Sequence, residues 1–109
     1  MMGDLESLMK NNIQADYEIL EEAARLFYRQ SDDLDQLRRR MIKCMEALEH
    51  NGWWGKGADA FYREMDLHVL PTLRRLIDAL GSAGWTTRKS ADIFADAEDE
   101  ASDFFRLKK

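Results

Sequence analysis

Apolar and small side chains recur at Ile13, Tyr17, Leu20, Ala24, Phe27, Ser31 and Leu34, in alternating steps of four and three. That spacing keeps one face of an α-helix against a neighbour in the manner of a coiled-coil seam. The step from Leu34 to Leu37 breaks the alternation, and the series resumes at Met41, Cys44 and Leu48. A stripe that slips by three predicts a local change of twist near Asp32-Asp33. No glycine or proline falls between Ile13 and His50, so the pattern predicts one helix over about residues 13–50, roughly 54 Å long at 1.5 Å per residue. Asn11-Asn12 is a weak breaking signal, and no structure is assigned to the residues before Ile13.

Past a short glycine-rich segment, Phe61 and Met65 open a second apolar face, with Asp59 set where its charge suits the positive end of a helix dipole. From there two overlapping rows run down the chain. One takes Leu70, Leu73, Ile77, Leu80 and Gly84 and continues through Phe94 and Glu98 to Phe105; the other takes Val69, Leu73, Leu76, Leu80 and Ala83 and ends at Phe104. Together they are wider than one facing helix covers, which predicts that one row meets the first helix and the other a second molecule. Pro71 removes a backbone donor and crowds the carbonyl of Leu67, so a kink is expected near Leu67 to Leu70. The expected fold is all-α and a single domain. It is an antiparallel helical hairpin with helix 1 at about 13–50, a bend at 51–57 and helix 2 at about 58–105, dimerising into a four-helix bundle. Phe27, Leu34, Leu73, Leu76, Ile77 and Leu80 are expected to form the hairpin and dimer interfaces.

Composition narrows the function. A chain of 109 residues lies near the lower end of what buries a self-sufficient core, which again favours a partner subunit. Sixteen basic against twenty-one acidic residues give a net charge of −5, which argues against binding nucleic acid or an anionic membrane surface. The basic run Arg38-Arg39-Arg40 with Lys43 points around its helix and makes no groove-reading face. No apolar run suits a membrane span or a cleavable signal peptide, so any export is expected to be leaderless. Cys44 stands alone and reads as a small core residue. Glu46 and His50, like Glu64 and His68, are four apart, whereas bundle metal sites set Glu and His three apart. Neither a metal nor a cofactor is expected, and with no nucleophile constellation and no phosphate-cradling loop the chain is read as not an enzyme.

The segment Asn51-Gly52-Trp53-Trp54-Gly55-Lys56-Gly57 sets two adjacent indoles among three glycines between the two periodic halves. Glycine permits the positive φ that ends one helix and starts another. Paired indoles carry more apolar area than a solvated turn needs, so the bend is either packed, as a plug on the open end of the hairpin, or a contact surface. Trp53-x-Gly55 at mid-chain, flanked by long helices, resembles the Trp-x-Gly family of small type VII secretion substrates, the early secreted antigen-like proteins. The resemblance covers nearly the whole chain. Phe94-Ala95-Asp96-Ala97-Glu98 is similar to that family's Tyr-x-x-x-Asp/Glu export signal, with phenylalanine where tyrosine is usual, and Ala101 and Phe105 continue its longer apolar pattern.

The resemblance implies a hairpin with Trp53, Trp54 and Gly55 as its bend motif and Phe94 and Glu98 as its export signal. It implies a non-enzymatic secretion substrate or secretion partner that pairs with itself or with a related hairpin protein and is engaged by the type VII secretion ATPase. Such a protein is cytoplasmic before export and afterwards secreted without a cleavable signal peptide. The competing reading is a cytoplasmic adaptor or chaperone that pairs with a larger secreted toxin-type protein.

Overall fold

The computed structural model describes residues 2–107, and all regular structure among them is helical. Helix α1 spans Met2–His50, α2 spans Lys56–Glu64, a π-helical turn covers Met65–Val69, and α3 spans Leu70–Leu107. The two long helical runs form a hairpin. Helix α1 therefore begins well before Ile13. Asn11 and Asn12 are mediocre helix formers but remove no donor and force no φ, so nothing halts propagation through them.

Contacts group the chain into two units: Tyr28–Ser82, and the segment up to Phe27 together with that from Ala83 onward. In the Tyr28–Ser82 unit, Met45, Ala58, Met65 and Ile77 are buried, and Leu34, Leu73 and Leu80 are half-buried along the seam. The Ser31 hydroxyl donates to the carbonyl of Ile77 at 2.9 Å. A polar bond at a partly buried position fixes the register of two faces that apolar packing alone would hold less specifically.

The inner row of α1 does not slip after Leu34. It continues through Asp35, Arg38, Met41 and Ile42 to the buried Met45, leaving Leu37, Cys44 and Leu48 exposed. The cause is Arg38, whose position faces inward and whose Nε lies 3.5 Å from an Asp35 oxygen; Asp35 also meets Arg39 at 3.1 Å. An arginine stem packs like an aliphatic chain while its head pairs, so a charged residue continues a row that residue type alone reads as broken. Cys44 is accordingly a surface residue and not a core one. With Leu37, Met41, Leu48, Phe61 and Met65 it lines an apolar groove of about 380 Å³.

Near Pro71 the expected distortion takes the form of the π turn. The Met65 N–H is shared between the carbonyls of Phe61 and Tyr62, and the Leu70 N–H reaches back to the carbonyl of Met65. Proline has no N–H to donate, and its ring crowds the carbonyl one α-turn earlier; an extra residue in the preceding turn re-aims those carbonyls and lets the helix proceed.

In the other unit Ala24 and Ala91 are fully buried and Gly84 is buried, so small residues line the seam. Phe27, Thr87 and Glu98 are half-buried there. Of the two rows on α3, the one through Ile77, Gly84 and Ala91 faces inward. Members of the other, Leu76 in one unit and Ser90, Ala97 and Phe104 in the other, are exposed.

Candidate functional site

The bend is built by backbone chemistry. At the end of α1 the Trp53 N–H bonds to the carbonyl of Leu48 at 2.9 Å and the Gly52 N–H to that of Glu49 at 3.1 Å. With Gly52 at φ +83°, this is the paired-bond helix stop in which a left-handed residue satisfies carbonyls left over by the last turn. Gly55 then precedes α2 at φ +123° and ψ −178°, a conformation open almost only to glycine, and its carbonyl accepts the Asp59 N–H at 2.8 Å. The glycine of Trp-x-Gly is thus required by its backbone angle. Nothing within 4 Å would meet a Cβ added there, so crowding is not the reason.

The two indoles have different surroundings. Trp53 stands edge-on to Phe61 and Tyr62, at centroid distances of 5.4 and 5.6 Å, and those two rings meet each other at 5.7 Å. The Tyr62 hydroxyl donates to the Trp53 carbonyl at 3.0 Å. Partial burial, reinforced by the charges of Glu49 and Asp59, holds that hydroxyl above the usual tyrosine range, which keeps it protonated as a donor. Trp54 is 75% exposed, and its indole N–H is tied to the carbonyl of Glu49 at 3.0 Å. An open acidic cleft lies beside it, lined by Glu46, Glu49, His50, Trp54, Asp59 and Tyr62. Among the described residues no group of three or more histidines, cysteines and carboxylates is placed to hold a metal ion. The pair of Glu64 and His68 is a 3.2 Å contact on an exposed face.

Phe94 and Glu98 lie one turn apart on α3, in the other unit from the bend. Phe94 is 40% exposed. Glu98 faces the first turns of α1, where it lines a narrow apolar cleft with Glu6, Met9, Lys10, Ile13 and Phe105 among its walls. It is therefore less open to solvent than a surface carboxylate on the outer face of α3. The bend motif and the tail motif are two separate constellations within one chain. Tyr62 completes the aromatic cluster, and the signal for it in the sequence is a tyrosine next to Phe61 just after a Trp-x-Gly bend.

The sequence matches the family described as proteins of 100 residues with WXG, over residues 12–99. The chain belongs to that WXG family. Its bend shows what the motif does physically: Trp53 anchors the loop on α2, and Gly55 supplies the angle from which α2 starts. Membership makes this a small helical protein associated with type VII secretion. No curated protein and no solved structure matches the chain. No helix among the described residues is long and apolar enough to cross a membrane.

Proposed function

We propose that this WXG protein is a leaderless type VII secretion substrate or secretion partner that works as a helical homodimer and performs no catalysis. The observation that carries the pairing is the exposure of the second apolar row. Leu76 is 46% exposed on α3, while Leu26 and Leu37 on α1 are 48% and 39% exposed. Leaving such area wet costs about 25 cal/mol per Å², and a second hairpin laid along it removes that cost. The solution mass by light scattering is expected to be twice that of the chain. Leu76→Asp, which sets a charge in the contact, is expected to shift it toward the monomer. A monomeric parent at micromolar concentration sinks the pairing.

The proposed antiparallel dimer sets the bend of one copy beside the tail of its partner. One patch then combines the exposed indole edge at Trp53 with Phe94 and the Glu98 carboxylate, engaged by the secretion ATPase in the cytoplasm before release outside the cell. A surface that needs both chains exists only after folding and pairing, so unpaired chains are passed over. Glu98→Ala is expected to keep the helicity and mass of the parent yet abolish export from a host with a matching secretion system. Normal export of the folded Glu98→Ala dimer removes Glu98 from the signal.

A further inference from the structure

An exposed indole on α3 belongs neither to the seam, nor to the second row, nor to the bend. Trp85 lies on α3 and is 60% exposed. Counting along the helix from Trp85, Asp92, Asp96, Asp99 and Asp103 follow at steps of seven, four, three and four. Those steps place the five residues on a single helical face, and all five are exposed. The stripe is about 27 Å long at 1.5 Å per residue. It is distinct from Phe94 and Glu98, which lie on other faces of the same helix.

The face of the indole is met by a flexible side chain of its own helix, which an incoming side chain can displace. The Lys89 ammonium stands 5.7 Å from the centroid of the Trp85 ring, within the range in which a positive charge is drawn to the ring face. At the far end Asp103 meets Arg106 at 3.8 Å, a loose and solvent-exposed pair that another cation can displace.

The geometry points to this outer face of α3 as a docking site for a lysine- or arginine-rich amphipathic helix of a second protein. An apolar side chain of that helix covers the indole, and its cations at matching spacing meet the aspartates. An indole supplies the desolvated anchor that concentrates binding energy, and the carboxylates supply register and rate. The same charges repel anionic lipid and nucleic acid. A second copy of this chain fits poorly, because its corresponding face is equally acidic. The site stands apart from the secretion reading and survives if that reading fails.

The test uses the full chain and a fluorescent synthetic helix that carries a leucine and four lysines at the spacing of the stripe. A peptide of the same composition in shuffled order is the control. Anisotropy is expected to show the patterned peptide binding about tenfold more tightly than the shuffled one, with the preference weakening as salt rises. Trp85→Ser, and separately the double variant Asp96→Asn with Asp99→Asn, are each expected to abolish the preference with parental circular dichroism and solution mass. Equal binding of the two peptides overturns the site, as does an unchanged affinity in Trp85→Ser. A change of mass in Trp85→Ser reassigns the indole to a contact between copies. Trp85-dependent sedimentation with phosphatidylcholine vesicles reassigns it to a lipid surface.

Discussion

The bend and the tail both carry short motifs, yet they hold their residues in place by different means. At the bend the backbone itself is constrained: Gly52 and Gly55 have positive φ, the Trp53 N–H closes the helix stop and the Trp53 carbonyl accepts from Tyr62. On the tail, Phe94 and Glu98 occupy an uninterrupted helix, and only the face they fall on distinguishes them from their neighbours. A motif at a chain reversal is constrained by folding whatever it recognises. A motif within an uninterrupted helix has no special backbone angle to lose, so a loss of function there at parental helicity and mass isolates recognition.

Substitutions at the bend should therefore cost stability, and the tail variant Glu98→Ala should not. The largest expected loss is Trp53→Ala. It removes the contacts with Phe61 and Tyr62, where each of the two aromatic pairs contributes about 0.5–1.5 kcal/mol, about 1–3 kcal/mol together, and the lost area burial adds to that in denaturant unfolding. A loss as small as that of Glu98→Ala would erase the contrast between the two regions.

Gly55→Ala comes next. Forcing an alanine to φ +123° is expected to cost about 1–3 kcal/mol. Gly57 supplies the control, because it lies inside α2 with nothing within 4 Å of an added Cβ. There Gly57→Ala is expected to stabilise by about 0.5–1 kcal/mol through helix propensity and a less flexible unfolded chain. If the two alanine variants melt alike, the backbone angle is not what the motif glycine provides.

The smallest effect concerns Tyr62. Its hydroxyl is held above the usual tyrosine range, so the neutral donor is favoured by folding. The associated stability is fully present below the unfolded tyrosine value and is lost as pH climbs through the folded one. Tyr62→Phe is expected to flatten that alkaline loss with little change at neutral pH, read by unfolding curves at several pH values. An unchanged alkaline profile would detach the Tyr62 hydroxyl from the stability of the bend.

By itself the sequence determined the hairpin, its turning point and the inward row from Ile13 to Leu34. These follow from periodicity and from glycine, which act locally and are written in residue type. Tertiary structure alone decided three other matters. Arg38 continues the inner row because Asp35 lies beside its guanidinium, so the stripe does not slip and Cys44 is left on the surface. Pro71 is accommodated by a π turn ahead of it, a choice among backbone solutions that the proline does not dictate. Glu98 turns toward the first turns of α1 and Trp85 turns outward, because which flank of a helix is covered depends on the helix packed against it. Periodicity states that a face exists; what covers it is settled only when the chain has folded back on itself.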